Sequence, residues 1–242
     1  ADVPQKKYRE ALLAHTADAH SSRDLLRIHT DVPVAFDINT FRYRGPSQED
    51  CYALFADLGF RSLVMEFAPT AETIAKDYRL VTTARELDGI VAEIRAAGRV
   101  SLRILLDQPA PFRAGIVGIA LAAAPRSARY LPLRHAGMHS GPQLAVDEAL
   151  EILRPVLEDA GIEKIGHDLK SDHVVLARHG ISLQGLGRDT MLASYLLDAT
   201  RSGHPLEDAA LERLGYKALT EGDIVGRGAK AAPLADTPPG AM

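Results

Sequence analysis

The stretch Lys164-Ile-Gly-His-Asp-Leu-Lys-Ser-Asp172, continuing as His-Val-Val-Leu-Ala-Arg-His-Gly180, predicts a short strand followed by a helix. Residues 164–167 are the strand, and residues 168–179 are a helix that the following glycine ends. The same alternation extends to both sides. Further strands are predicted at 78–82, 100–106, 116–122 and 129–133, and further helices at 83–97, 143–158, 188–199 and 206–214.

The three strands between residues 100 and 133 are close enough in sequence to form an antiparallel meander. Together with the strand–helix alternation that follows, they predict an α/β fold with a mixed sheet flanked by helices.

A smaller, mainly helical segment precedes this fold. Residues 4–29 are predicted to be helical, and Ser47-Gln48-Glu49-Asp50 resembles a capping box that starts another helix. Residues 69–77 have the composition of a linker. We therefore expect a connector segment at 1–76 and the α/β domain at 77–242.

The composition of the 242 residues is that of a globular protein, with 46% hydrophobic and 25% charged residues. The net charge of −4 argues against a protein whose main task is to coat nucleic acid, because such proteins carry a basic excess. Cys51 is the only cysteine, which excludes a disulfide framework. Neither an apolar signal core nor an apolar run of about 20 residues is present, so we expect a soluble intracellular protein without membrane contact.

Several patches, in the same order along the chain, resemble the bacterial-type (family A) DNA polymerase I family. The stretch around Asp172 resembles the second motif of its 3′–5′ exonuclease domain. The segment Arg188-Asp-Thr-Met-Leu-Ala-Ser-Tyr-Leu-Leu197 resembles the helix that follows, and Gly222-Asp-Ile-Val-Gly-Arg-Gly-Ala-Lys230 is similar to the next glycine-rich loop. Thr30-Asp-Val-Pro33 and the residues at 53–63 resemble the connector after the 5′-nuclease.

The resemblance implies a middle fragment of that polymerase, with a ribonuclease H-like, DEDD exonuclease-like fold. It also implies what the chemistry needs: two divalent metals, held by an Asp-x-Glu pair on the first strand, one Asp of the second motif and a last Asp on a later helix. Asp172 matches the aspartate of the second motif, and Asp168 stands where the family usually has asparagine.

The remaining carboxylates are missing from the matching positions. Counting back from residues 116–119, which resemble the family's next strand, the Asp-x-Glu pair falls on Arg103 and Leu105. Residues 99–106 contain no carboxylate, Asp107 lies past the strand, and no Tyr-x-x-x-Asp follows Gly226. We therefore expect a vestigial, C-terminally truncated domain without a metal, a bound cofactor or catalysis.

The charge left at this site suggests a hypothesis. A buried, unpaired carboxylate is costly, so we expect Arg103 to form an ion pair with Asp172 where a metal would otherwise lie. Leu105 would fill the remaining volume.

Other polar residues have more than one interpretation. Asp189 is either an acid favoured by a helix N-terminus or a functional group. His167, His173 and His179 recur every six residues, which does not place them on one helix face, so we do not expect a metal site there. A set of five basic residues forms either a local basic patch or an ordinary solvated face: Lys164, Lys170, Arg178, Arg227 and Lys230.

The favoured interpretation is thus a structural fragment of a DNA polymerase I that acts in DNA replication and repair. The fragment itself is expected to have neither polymerase nor 3′–5′ exonuclease activity. The alternatives are an active metal-dependent 3′–5′ exonuclease of the RNase D or Werner type and a non-catalytic DNA-binding module. Mg²⁺ or Mn²⁺ is expected in the full-length enzyme, and DNA is expected to bind through that enzyme and weakly or not at all to this fragment. We further expect a monomer in the bacterial cytoplasm, associated with the nucleoid.

Overall fold

The computed structural model describes residues 3–33, 37–39, 41–43, 45–69, 75–137, 140–226, 228 and 231–242. They divide into two compact units, Ala1–Pro46 and Ser47–Met242. The boundary expected between residues 76 and 77 separates the connector segment from the α/β domain, and it stays a prediction. None of the described helices is long and apolar enough to cross a membrane.

The first unit contains two helices, α1 (Lys6–Ala14) and α2 (Thr16–Leu25), where one helix was expected. The break is at His15, whose φ of −119° and ψ of 39° are not helical. The Thr16 hydroxyl donates back to the carbonyl of Leu12 at 2.8 Å. No described residue of this unit is buried, so the described part of the unit has no hydrophobic core of its own.

Helices α3 (Gln48–Asp57) and α4 (Arg61–Phe67) begin the second unit. The predicted cap is confirmed, since Ser47 accepts a hydrogen bond from the Asp50 amide at 3.3 Å. The pair is tied to a distant turn, where the Lys217 amide donates to the Pro69 carbonyl at 2.9 Å. Gly215 in that turn has a φ of +62°, and a Cβ there would collide with the Tyr52 hydroxyl. These helices are therefore part of the larger unit.

A six-stranded sheet forms the centre of the second unit, with the strand order β1-β4-β3-β2-β5-β6. Its strands β2, β3 and β4 form the predicted antiparallel meander, and the other pairs are parallel. The strand bounds are as follows: β1 (Asp77–Leu80), β2 (Arg99–Leu106), β3 (Ile116–Ala124), β4 (Ser127–Pro132), β5 (Glu163–Gly166) and β6 (Leu186–Asp189).

One face of the sheet carries the main hydrophobic core. Alternate residues of β2, namely Val100, Leu102 and Ile104, are buried against the helices that follow and precede the meander. These helices are α5 (Ala84–Ala97), α6 (Val146–Leu157) and α7 (Leu169–Arg178). The mixed sheet flanked by helices is thereby confirmed.

The chain after β5 differs from the sequence prediction in two places. Residues 186–189, of which the last two were expected to be helical, pair with β5 as strand β6, and helix α8 (Thr190–Leu197) begins only after Asp189 has capped it. Helix α9 (Leu206–Leu214) is as predicted. The expected glycine-rich loop contains a short helix, α10 (Glu221–Val225), because Thr220 and Asp223 form a capping box.

The last residues dock on the end of β4 through a buried chain of hydrogen bonds. The Tyr130 hydroxyl lies 2.8 Å from His135 Nε2, and His135 Nδ1 lies 2.7 Å from the Thr237 carbonyl oxygen. A carbonyl only accepts, so Nδ1 carries the proton and the tyrosine donates to Nε2. Two 3₁₀ turns, Leu234–Asp236 and Pro239–Ala241, follow the same surface.

Candidate functional site

The candidate site lies where β2 continues past the end of β5. The two strands pair in parallel only as far as Ser101 and Ile165, and β5 ends at the next residue. The backbone amide of Ile104 is therefore beyond the ladder and donates instead to Asp172 Oδ1, from helix α7, at 3.2 Å. Asp172 thus caps an unpaired edge of the sheet.

The Asp172 side chain is almost completely buried, with a residue exposure of 2%. Its second oxygen, Oδ2, has no hydrogen-bond partner among the described residues. Burial raises the pKa of Asp172 to about 7, and the charge of Arg103 and the bond from Ile104 only partly oppose this. The carboxyl group therefore takes up a proton near neutral pH.

Arg103 and Leu105 lie on β2 opposite Ala120 and Gly118. Leu105 is half-buried, whereas Arg103 is exposed and donates from Nη1 to the His167 carbonyl at 2.8 Å. The expected ion pair with Asp172 does not form. Pairing would bring an exposed guanidinium into the buried environment of the carboxylate, which costs desolvation energy, and the guanidinium instead bonds a carbonyl just past the end of β5.

Asp189 joins two helices. It is the N-cap of α8, accepting from the amides of Met191 and Leu192, and it also accepts from the amides of Asp168 and Leu169 at the start of α7. Burial acts to raise the pKa of Asp189, but these four backbone bonds outweigh it and lower the pKa. The interpretation of Asp189 as an acid at a helix N-terminus is confirmed, for two termini at once.

Asp168 is committed in the same way. It caps α7 from a left-handed conformation with φ +65°, and its Oδ2 accepts from the Ser171 hydroxyl at 2.6 Å. Asp107, expected to be a poor substitute ligand, uses Oδ1 to accept from the Gly115 amide at 2.8 Å. Both acids thus already accept hydrogen bonds from nearby residues, Asp107 from a backbone amide and Asp168 from a hydroxyl.

The three histidines do not converge. His167 Nδ1 contacts the Thr190 hydroxyl at 2.9 Å, and burial lowers its pKa. His173 and His179 lie further along and beyond α7. The described part of the chain contains no group of three or more His, Cys, Asp or Glu side chains suited to holding a metal ion.

Lys164 belongs neither to a surface basic patch nor to a solvated face. Lys164 has 0% exposure and donates from Nζ to the carbonyls of Asp159 at 2.5 Å and Ile162 at 2.9 Å. Arg178 donates to carbonyls of the β2–β3 loop, and Arg227 and Lys230 lie outside the described residues. The sequence did not predict this burial. It depends on the two acceptor carbonyls, which belong to the turn between α6 and β5 and are not visible in the pattern of the strand.

Lys164 offers a direct test of this connection. Lys164→Met keeps most of the apolar stem but leaves two carbonyls without their donor, so the free energy of unfolding should fall by about 1–2 kcal/mol. Lys170→Met, on the exposed surface of α7, is the matched control and should change stability by less than ~0.5 kcal/mol. Equal denaturant midpoints for the two variants would contradict the assignment.

Comparison with known proteins places this geometry in a family context. Residues 138–237 match the family described as DNA polymerase I, ribonuclease H-like domain. The chain is similar to DNA polymerase I of Pseudomonas aeruginosa, with 30% identity over 88% of this chain and 25% of the relative. It is also similar to that of Chloroflexus aurantiacus, with 28% identity over 98% of this chain and 29% of the relative. The chain therefore spans less than a third of these relatives' lengths.

A solved structure shares the fold. Trypanosoma brucei RNase D aligns with a TM-score of 0.50 and 16% identity, over 66% of this chain and 55% of that one. At this identity the likeness concerns the fold alone.

Proposed function

We propose that this chain, which belongs to the DNA polymerase I family and carries its exonuclease-like domain, does not hydrolyse nucleic acid there and uses the domain as a structural element. The observation that carries the proposal is the composition of β2. This strand lies beside Asp172 but presents a guanidinium and an isobutyl group, Arg103 and Leu105, at the positions that the resemblance assigns to the family's Asp-x-Glu pair.

The residues present do not fit a pair of divalent metals. Such cations need several carboxylate or carbonyl oxygens that converge on one place. Here Asp172 has one oxygen bonded to a backbone amide, and the oxygens of Asp168 and Asp189 are occupied by amides or a hydroxyl. Arg103 adds a positive charge at the same edge of the sheet, which opposes a cation.

The competing function is a metal-dependent nuclease of the RNase D type. The likeness to RNase D supports the shared fold, but that chemistry needs the carboxylates that β2 lacks. For the whole protein, we propose a DNA polymerase that meets DNA through its other regions, needs Mg²⁺ or Mn²⁺ there, and works as a monomer in the bacterial cytoplasm. The names of the relatives support the polymerase assignment.

A nuclease assay tests the proposed function. A 5′-labelled single-stranded oligodeoxynucleotide, incubated with the chain and excess Mn²⁺, is expected to shorten no faster than without protein, because the described residues offer no carboxylate cluster to hold the ions. The Asp172→Ala variant is the control for contaminating nucleases. Shortening by the wild-type chain that disappears in this variant would overturn the proposal.

A further inference from the structure

Helix α8 carries no charged residue, yet none of its residues is buried. Four of its large apolar side chains form the α8 patch, and each is more than half exposed: Leu192 (56%), Tyr195 (52%), Leu196 (82%) and Leu197 (64%). Helix α6, by contrast, buries its apolar side chains in the core. A helix without charged residues is ordinarily a buried helix, so the solvent exposure of α8 needs an explanation.

The hydroxyl groups of α8 bond to the domain, which leaves the apolar side of the helix in solvent. The Thr190 hydroxyl donates to the carbonyl of the last residue of β5 at 3.1 Å, and the Ser194 hydroxyl lies 2.9 Å from His204 Nδ1. These two hydroxyl residues are four apart and share one side of the helix. Helix α8 is therefore inverted relative to an ordinary surface helix, whose apolar side faces the core.

The orientation of α8 is fixed at both ends. Asp189 caps its first turn, and the ring of His204 packs edge-on against Tyr195 with the ring centroids 5.6 Å apart. The segment between α8 and α9 is held by Arg201, which forms ion pairs with two acids of α9, Asp208 and Glu212. The α8 patch is thus preformed, and covering it orders little further backbone.

We propose that the α8 patch is the surface through which this domain docks on the remainder of its own polypeptide. The inference rests on the proposed function, because a structural element of a longer polymerase has to be attached to it. The chain spans 25% and 29% of two relatives, so most of such a protein lies outside these residues. A segment of the same polypeptide is always present at high local concentration, unlike a separate partner.

The chemistry of the patch sets the chemistry of the surface that covers it. Since α8 offers no charge, it has no group to pair with a charged partner, and the covering surface is apolar. Domains joined by a polar interface move relative to each other, whereas an apolar interface restricts that motion. The α8 patch would therefore hold the exonuclease-like domain in a fixed position on the polymerase.

Hydrogen exchange followed by mass spectrometry tests the docking by comparing this chain with the full-length polymerase that includes it. Peptides covering residues 190–197 should exchange at least about ten-fold more slowly in the full-length protein, and peptides from α5 should exchange equally in both. Leu196→Glu in the full-length protein should remove the difference, because a buried carboxylate without a partner is costly. Leu196→Met should keep it. Phe112→Glu, at a residue outside α8 with 74% exposure, is the matched control and should also keep it.

The circular dichroism spectrum and urea midpoint of this chain should be the same with and without Leu196→Glu, because the side chain is exposed here. Equal exchange of residues 190–197 in the two proteins would overturn the proposal. A full-length protein that is dimeric by light scattering and becomes monomeric with Leu196→Glu would overturn it as well, by identifying a second copy as the occupant. A chain that cleaves DNA can still show the protection, so this proposal and the proposed function fail separately.

Discussion

Asp189→Ala is expected to lower the free energy of unfolding by about 3 kcal/mol or more. The substitution removes the acceptor of four backbone amides at the starts of α7 and α8. A lost cap costs ~1 kcal/mol for one helix, and partly buried amides left without a partner add about 1–3 kcal/mol. Chemical denaturation followed by circular dichroism measures the loss.

Two variants make this test specific. Ser47→Ala removes a cap with a single bond from α3 and should cost only ~1 kcal/mol. Asp189→Asn keeps one acceptor oxygen but replaces the other with a donor, so its loss should fall between those of the other two. Similar losses for Asp189→Ala and Ser47→Ala would show that the aspartate does not join the helices.

The lowered pKa of Asp189 adds a pH dependence with a fixed sign. The folded state holds the ionised form more tightly than the unfolded state does, so the stabilisation is present above the unfolded pKa. It is lost as the pH falls through the lower, folded pKa. The difference between wild type and Asp189→Asn should therefore shrink in strong acid.

Asp172→Asn is expected to stabilise the protein at alkaline pH. The pKa of Asp172 is raised to about 7, so the folded state disfavours the carboxylate that the unfolded state tolerates. Below about pH 3 both states are protonated, and the two proteins should be equally stable. Between about pH 4 and 7 the wild type loses ~1.4 kcal/mol per unit, and at pH 8 asparagine should lead by about 4 kcal/mol.

Urea unfolding at pH 4.5, 6 and 8 measures this growing difference. The amide oxygen of asparagine still accepts from Ile104, which keeps the edge of β2 capped. Asp88→Asn, on the exposed surface of α5, is the matched control and should give a difference that does not grow with pH. A constant difference for Asp172→Asn would mean that the carboxyl group ionises normally.

The sequence predicted most of the fold because short-range signals mark the helices and strands. Capping residues, glycine stops and hydrophobic periodicity predicted α5, α9 and the meander. Strand β6 was missed because Leu186 to Asp189 has no strand alternation of its own and is strand only by pairing with β5. The break at His15 was missed because nothing in the helical pattern marks it.

The sequence predicted the residue types of the candidate site but not the contacts between them. The absence of carboxylates from β2 is visible in the sequence, and so is the match of Asp172 to a motif. The hydrogen-bond partners of Arg103 and Asp172 are not visible in the sequence. These partners are backbone groups that are left without a strand partner where β5 ends short of β2. The length of a neighbouring strand decided both contacts, and no side-chain pattern encodes it.

The docking of the last residues on β4 determines where the polypeptide tolerates shortening. A version ending before Pro233 would leave His135 Nδ1 without its acceptor and would remove the Ala235 carbonyl that receives the Ala136 amide at 2.8 Å. The buried Tyr130 would then open to water from one side. Residues 233–237 therefore have to be retained in any shortened version, although their sequence, Pro-Leu-Ala-Asp-Thr, resembles that of a dispensable tail.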